Sequence, residues 1–207
     1  MLETLFAQYQ GYATIDIVLE IIASVAGVMS VVYASRNSVK VFPIGLLSTA
    51  LFVYLLFKWG LFGDMIINAY YVVMGLYGWY HWGKRVGEED VVQIARADAH
   101  EYRISALIVV ASMAVVVAVY LWLDRFNVWW AYVDTLTTGL FFMAMWLMTR
   151  KKIEHWLLWI VANVLSVFMY YEKGYVFTSI QYVFFTFIAI WGYAQWSKSL
   201  RKRLQTA

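Results

Sequence analysis

The sequence predicts an all-α membrane protein with seven transmembrane helices arranged as three, one and three. Three observations predict it: a very apolar composition, seven runs long enough to cross a bilayer, and a weak internal repeat. Of the 207 residues, 63% are apolar and 14% charged, whereas soluble domains have about 45–50% apolar and about 25% charged residues. The runs are too long, and alternate too little, for barrel strands. Disordered chains, coiled coils and typical soluble enzymes are thereby excluded.

Each predicted span is an uncharged or nearly uncharged run of 17 to 23 residues, and a helix crosses the hydrocarbon core with about 20 residues. The spans are expected at 15–34, 41–57, 62–82, 104–123, 130–148, 153–171 and 174–196. Residues 1–14 contain no Lys or Arg, so we expect no cleavable signal peptide. Residues 83–103 mix both charges and predict a short solvated cytoplasmic linker or a surface helix.

The basic residues predict the orientation in the membrane. Thirteen of the 16 Lys and Arg residues fall on the side that contains residues 83–103 and the tail 197–207, and three on the other. The positive-inside rule then places the N-terminus outside and the C-terminus in the cytoplasm. The basic tail is expected to set topology and contact lipid headgroups; a lipid-binding patch and a nucleic-acid arm are the alternatives. No nucleic-acid partner is expected.

A shift of 114 residues aligns 27–84 with 141–198 without a gap, with nine identities in 58 positions. The helix at 104–123 has no counterpart and lies between the two copies. A repeat of three helices ends on the opposite side of the membrane from its start, so a directly following copy would be inverted. The one intervening helix gives the second copy the same orientation as the first. The repeats at 15–82 and 130–196 are therefore expected to be parallel, in a SWEET-like arrangement found in transporters.

Several segments resemble the PnuC family. They are Phe42-Pro43-Ile44-Gly45-Leu46-Leu47-Ser48, the stretches 63–71 and 77–82, Asp134-Thr135-Leu136-Thr137-Thr138, and above all 150–159 with Asn163. The resemblance covers about 15–198 and implies uptake of nicotinamide riboside by facilitated diffusion with alternating access, followed by cytoplasmic phosphorylation. It also implies a bacterial inner-membrane location and, by analogy only, a homotrimer. Relatives are thought to carry thiamine or riboflavin, and segment 170–175 with Tyr182 resembles a branch associated with thiamine, so the cargo stays open.

The same resemblance implies that the pattern Trp156, Trp159 and Asn163 lies in the substrate site. These positions share one helix face because they differ by three and four. Two indoles can flank a flat cationic ring, and Asn can pair with a carboxamide. The alternative is interfacial Trp with Asn as a link between helices, which suits Trp156 best. In the first repeat Gly45, Ser48 and Thr49 are expected to leave room. Secondary candidates, which could equally bond between helices, are Asn68, Thr137, Thr138 and Gln181.

Other features leave two interpretations each. Glu20, Asp64 and Asp134 could attract a cation or couple protons, or could be interfacial carboxylates that reach water. The Trp and Tyr residues at 77–82 are expected to be an interfacial anchor rather than a gate. No phosphate-binding loop, His-Glu-x-x-His motif, cysteine or Lys within 174–196 is present, which argues against a pump, a zinc protease and a retinal receptor. No catalytic residue, cofactor or metal is expected, and a membrane scaffold is the alternative class.

Overall fold

The computed structural model describes residues 13–59, 62–86, 89–122, 124, 126, 128–174 and 176–206. Within these residues it is all-helical apart from one short antiparallel hairpin, β1 (Arg85–Val86) and β2 (Glu89–Asp90). The helices are α1 (Thr14–Ser35), α2 (Val41–Lys58), α3 (Phe62–Trp82), α4 (Ala99–Trp122), α5 (Trp129–Thr149), α6 (Glu154–Glu172) and α7 (Val176–Thr206).

Five helices, α1, α2, α3, α5 and α6, begin and end within one residue of the predicted spans. Among the described residues, α1, α2, α4 and α5 are long and apolar enough to cross a membrane by length and composition. The other three, α3, α6 and α7, contain 21, 19 and 31 residues, but Tyr, Trp, Asn and Ser lower their hydropathy. Buried polar side chains also occur on the more apolar helices, such as Thr137 and Thr138 on α5.

Two helices extend further than the sequence predicts. Helix α4 begins at Ala99, five residues before the predicted start. A capping box fixes this end, because Asp98 Oδ1 accepts from the Glu101 N–H at 2.9 Å and Glu101 Oε2 accepts from the Asp98 N–H at 3.1 Å. Helix α7 continues through the basic tail to Thr206, since charged residues end a span in lipid but do not end a helix.

Six of the helices form a ring, and α4 lies outside it against α5. Along the chain α1 packs on α2 and α2 on α3, and likewise α5 packs on α6 and α6 on α7. Contacts of α1 with α7 and of α3 with α5 join the two triplets. A shift of 114 residues converts one of these joining contacts into the other.

The turns that follow α1 and α5 have the same backbone geometry. Asn37 and Lys151, which are 114 residues apart, both adopt positive φ, 52° and 53°. The Asn37 N–H donates to Ala34 O and the Lys151 N–H donates to Met148 O, both at 2.9 Å. The internal repeat is thus accompanied by repeated hydrogen bonds, although the aligned sequences share few residues here.

Part of the segment between α3 and α4, predicted to be a solvated linker or a surface helix, packs against the turn into α6. The Ala95 N–H donates to Lys151 O at 3.1 Å and the Ile153 N–H donates to Ala95 O at 3.0 Å, which forms a parallel β-bridge between Ala95 and Lys152. Ile94 is 7% exposed and belongs to the hydrophobic core. The surrounding charges concealed this interaction in the sequence. The segment therefore holds the turn that leads into α6.

The buried hydrophobic cluster lies where α1, α3 and α5 end, beside the basic turns and Trp196 of α7, and we call this end of the bundle the basic end. Its side chains come from both triplets, with Phe42 and Trp82 from the first and Met148, Trp156 and Trp196 from the second. Trp82 and Trp196 rings are 5.9 Å apart between centroids. The core thus joins the two halves at the end of the bundle where α6 begins.

Candidate binding site on helix α6

The predicted stripe on α6 faces the protein interior. His155, Trp156, Asn163 and Ser166 are all at most 5% exposed. The opposite face is open, with Leu157, Val161, Val164 and Phe168 each at least 40% exposed. The 3.6-residue period of the helix therefore separates an inner polar and aromatic stripe from an outer aliphatic one. For Trp156 the interpretation as a lipid-interface residue is wrong, because its side chain is fully buried.

Trp156 packs against the backbone of α7. A Cβ atom on Gly192 would lie 2.5 Å from Cη2 of the Trp156 indole, so only glycine permits this contact. The ring also contacts Trp196, with centroids 5.8 Å apart. Its Nε1 has no hydrogen-bond partner. The indole is therefore held in place by packing and retains an unused donor.

Trp156 and Trp159 meet edge to face. Their ring centroids are 5.3 Å apart and their planes are inclined by 78°. Two parallel indoles around a flat ligand would stand about 7 Å apart, twice the optimal carbon–carbon separation. The pair thus does not form the parallel sandwich expected from the sequence, and a ligand ring held between both indoles requires one of them to rotate. Trp159 is half-buried and has more room to do so.

His155 joins this cluster, and sequence reasoning did not select it. Its Nδ1 lies 2.6 Å from Lys152 O, and its Nε2 is buried without a hydrogen-bond partner. The imidazole contacts Trp159 and Trp196 edge to face, at 5.0 and 4.8 Å between centroids. A periodic signal could have found it, since positions 155, 159 and 163 follow one another at four-residue intervals on one helix face.

The first triplet contains a matching contact. A Cβ on Gly78 would lie 2.3 Å from Cε1 of Phe42, and these two residues correspond to Gly192 and Trp156 after the 114-residue shift. Phe42 therefore fills its half of the core as Trp156 does. The room expected near Gly45, Ser48 and Thr49 stays a prediction.

Trp82 lies inside the bundle, unlike its neighbours on α3. It is 3% exposed and its Nε1–H donates to Thr149 O at 3.1 Å. Trp79 and Tyr80 are 44% and 68% exposed. The anchor interpretation of the cluster at 77–82 therefore fits Trp79 and Tyr80 but not Trp82, which links α3 to α5.

The secondary candidates are not gathered at the stripe by the contacts that the structure describes. Thr49 and Asn68 donate to carbonyls of their own helices, Gly45 O at 3.0 Å and Asp64 O at 2.9 Å. Thr137 Oγ1 does the same toward Asp134 O at 3.1 Å. Thr138 is buried and Gln181 half-buried. Their position in a site stays a prediction.

Two of the three carboxylates noted in the sequence lie together at the end of the bundle opposite the basic end. Asp134 accepts a hydrogen bond from the Tyr120 hydroxyl and lies 4.0 Å from Lys173 Nζ. Asp64 is within electrostatic range of Asp134 and Lys173. The Lys173 ammonium also lies over the Trp130 ring, 4.5 Å from its centroid. This group is therefore a mixed cluster of charges rather than an exposed acidic patch.

Two surface grooves lie away from the stripe. One of about 510 Å³ is lined by Leu76, Trp79, Tyr80, Gly83 and Lys84. The other, of about 400 Å³, lies between Ile94, Arg96 and the end of α7. Neither contains a residue of the α6 stripe, where aromatic side chains fill the interior.

Comparison with known proteins relates the whole bundle to transporters. The family described as nicotinamide mononucleotide transporter matches residues 17–198. The nicotinamide riboside transporter PnuC of Escherichia coli (strain K12) is 27% identical, over 89% of this chain and 87% of that protein. Its counterpart in Neisseria mucosa is 28% identical, over 87% of this chain and 72% of that protein.

Another relative has a different printed cargo. The riboflavin/roseoflavin transporter RibM of Streptomyces davaonensis is 23% identical, over 86% of this chain and 83% of that protein. A solved structure described as the crystal structure of the vitamin B3 transporter PnuC matches with a TM-score of 0.68 and 23% identity, over 97% of this chain and 90% of that one. The two chains share a fold.

Proposed function

The chain belongs to the PnuC family of nicotinamide mononucleotide transporters, and from that membership we propose that it carries nicotinamide riboside into the cell. It is a vitamin transporter of the bacterial inner membrane and not an enzyme. The cargo proposal rests on the two PnuC relatives, whose names give this riboside. The observation that carries it is the inward stripe of Trp156, Trp159 and Asn163 on α6.

This stripe suits a flat cation. Nicotinamide riboside has a permanently charged pyridinium ring, and a cation over a desolvated indole gains about 2 kcal/mol. Trp159 is the indole best placed to receive it, because it is only half-buried. Asn163 is 5% exposed and offers both a donor and an acceptor to the polar groups of the ligand. Asn68, Thr49, Thr138 and Gln181 are proposed to contribute further polar contacts once the ligand is present.

The ring of helices supports alternating access. We propose that α1–α3 and α5–α7 are parallel repeats, that all seven helices cross the membrane, and that the triplets rock against each other around the α6 stripe. The two joining contacts, α1 with α7 and α3 with α5, are the interfaces that such rocking would rearrange. Movement would follow the ligand gradient, and cytoplasmic phosphorylation of the riboside would retain it. No ion coupling is included in this mechanism.

Orientation is proposed from charge. The basic end, with Arg36, Lys84 and the end of α7, would face the cytoplasm, and the mixed charge cluster at Asp134 would face outward. Lipid headgroups would then contact the basic residues. A trimer is proposed by analogy with the family and is measured by light scattering of the purified protein.

Thiamine is a second candidate cargo, and the residues that suggest it lie outside the pattern of Trp156, Trp159 and Asn163. Tyr170 stacks on Tyr182, with centroids 5.2 Å apart and planes inclined by 10°. These tyrosines belong to the segment that resembles a thiamine branch, and thiamine is also a cationic heterocycle. The relative RibM points to riboflavin, which carries no fixed positive charge. Cation–π recognition therefore favours the riboside and thiamine over riboflavin.

Calorimetry of the purified protein with nicotinamide riboside, thiamine and riboflavin in parallel tests the proposal. Binding of the riboside, with weak or no binding of the other two, is the expected result. Binding of thiamine alone would replace the cargo and leave the fold. Uptake into proteoliposomes without any ion gradient tests facilitated diffusion, and a requirement for a gradient would contradict it. A protein that binds none of the three vitamins would favour the scaffold alternative.

A further inference from the structure

Two buried polar atoms on neighbouring residues of the α6 cluster have no hydrogen-bond partner. They are Nε2 of His155 and Nε1 of Trp156. Both side chains are 0% exposed, and their rings lie 4.5 Å apart between centroids. Most buried polar side-chain atoms are hydrogen-bonded, so two neighbouring exceptions require an explanation. A ligand that offers both a donor and an acceptor would satisfy the two atoms.

The backbone identifies which of these atoms is the donor. Lys152 O can only accept, so the 2.6 Å contact requires a hydrogen on His155 Nδ1. In a neutral imidazole Nε2 is then an acceptor with a free lone pair. A charged imidazolium is disfavoured because the ring is fully buried and has no water to solvate the charge. Trp156 Nε1 carries a hydrogen and can only donate. Each ring thus has one unused group, an acceptor on His155 and a donor on Trp156, and the ring centroids are 4.5 Å apart.

We propose that His155 and Trp156 recognise the primary carboxamide of the transported ring. The amide N–H would donate to His155 Nε2, and the amide oxygen would accept from Trp156 Nε1–H. This inference rests on the proposed function and adds His155 to the site as a specificity-determining residue. A carboxylate in the same place has no N–H to donate and sets its negative charge against the imidazole lone pair. The pair thus distinguishes the amide from the corresponding acid.

The rest of the stripe has the length for such a ligand. Asn163 lies seven residues after Trp156, which is about 10 Å along the helix. A pyridinium ring whose amide lies at His155 would pass Trp159, and its pentose would reach Asn163. Ser166 is fully buried and its Oγ also has no hydrogen-bond partner. Asn163 and Ser166 would then bond to the ribose hydroxyls. This differs from the sequence analysis, which matched Asn163 to the carboxamide.

Calorimetry with two ligands, the ribosides of nicotinamide and of nicotinic acid, tests this assignment. The variants are His155→Phe, which keeps a ring but removes the acceptor, and His155→Gln, whose amide oxygen can accept near the position of Nε2. We expect the native protein to prefer the amide by at least about tenfold, as one lost buried hydrogen bond implies. His155→Phe should weaken amide binding about tenfold and change acid binding less than about twofold. His155→Gln should retain most of the preference.

Trp146→Phe is the matched control, because Trp146 Nε1 is also buried without a partner but lies outside the α6 cluster, stacked on Tyr77. It should leave both affinities unchanged. Equal affinity of the native protein for the two ribosides would overturn the inference, as would equal weakening of both in His155→Phe. Loss of the preference in Asn163→Ala but not in His155→Phe would overturn it too. If His155→Phe does not fold, His155→Gln and Trp156→Phe test the inference instead. Trp156→Phe should lose affinity for the amide riboside, whereas the control Trp146→Phe should not.

These results separate the inference from the proposed function. A native protein that binds the amide riboside, with unchanged preference in every variant, contradicts only the role of His155. A native protein that binds neither riboside contradicts the proposed cargo itself.

Discussion

Trp82 and Trp196 make similar hydrogen bonds in opposite directions between the two triplets, to carbonyls that differ by one position after the 114-residue shift. The Trp82 indole N–H donates to Thr149 O at the end of α5, and the Trp196 indole N–H donates to Ala34 O at the end of α1, at 3.1 and 3.0 Å. The two tryptophans are 114 residues apart in a chain whose halves share few residues. Each triplet thus contributes one buried donor to hold the end of the other.

Replacing either tryptophan should therefore destabilise the basic end of the bundle to a similar degree. Trp82→Phe and Trp196→Phe each leave a buried carbonyl without its donor, which costs about 1–3 kcal/mol in the free energy of unfolding. Thermal unfolding in detergent measures the loss. Trp122→Phe, at a side chain that is 84% exposed, is the control and should change little. A loss in only one of the two variants would contradict their equivalence.

Gly192→Ala should weaken both stability and ligand binding. The added Cβ would lie 2.5 Å from Trp156 Cη2, and overpacking of a rigid ring costs about 1–3 kcal/mol. Displacement of the indole should then lower affinity for the riboside. Gly78→Ala is matched to it, because its Cβ would lie 2.3 Å from Phe42 in the other triplet. It should cost similar stability but leave affinity largely intact, as titration calorimetry can show. Equal losses of affinity would mean that the effect does not pass through Trp156.

Trp159→Ala should weaken binding strongly without unfolding the protein. Loss of a cation–π contact of about 2 kcal/mol corresponds to about 30-fold in affinity. Calorimetry with nicotinamide riboside measures it, and thermal unfolding checks that the bundle persists. Trp79→Ala removes a 44% exposed indole from α3 and should bind normally. Native affinity in Trp159→Ala would exclude the stripe as the site.

Acid should weaken the start of α4 through Asp98. Hydrogen bonds from the backbone N–H groups of Glu101 and His100 lower the pKa of the Asp98 carboxyl below its ordinary 3.8. Because the folded-state pKa is the lower one, the stabilisation is present above about pH 4 and disappears as the pH falls through the lowered value.

Asp98→Asn keeps a capping oxygen that does not titrate. The difference in unfolding free energy between the native protein and this variant should therefore shrink as the pH is lowered from 6 toward 3. Thermal unfolding across that range measures it. A difference that grows on acidification would show that the carboxylate does not stabilise this helix end.

The sequence was sufficient for most helix bounds and for the inner face of α6. Uncharged runs located α1, α2, α3, α5 and α6 because lipid tolerates few charges within a span. The three- and four-residue spacing of Trp156, Trp159 and Asn163 placed them together because that spacing returns to one helix face. Both inferences use only local chain geometry.

The remaining features depend on contacts between distant residues. Trp196 bonds to Ala34 across 162 positions, and Ala95 pairs with Lys152 through backbone atoms that carry no residue signature. The edge-to-face angle of Trp156 and Trp159 is set by Gly192 and Trp196 on α7 rather than by α6 itself. His155 was missed because its significance lies in a missing hydrogen bond, which only the folded surroundings reveal.

The β-bridge between Ala95 and Lys152 also bears on how the chain is made. Ala95 leaves the ribosome long before Lys152, which lies 57 residues further along the chain. Until α5 and the turn that follows it have been synthesised, the backbone N–H and C=O groups of Ala95 have no pairing partner. The hydrogen bonds of Ala95 therefore form only after the turn into α6 has been synthesised, so this part of the fold is completed late.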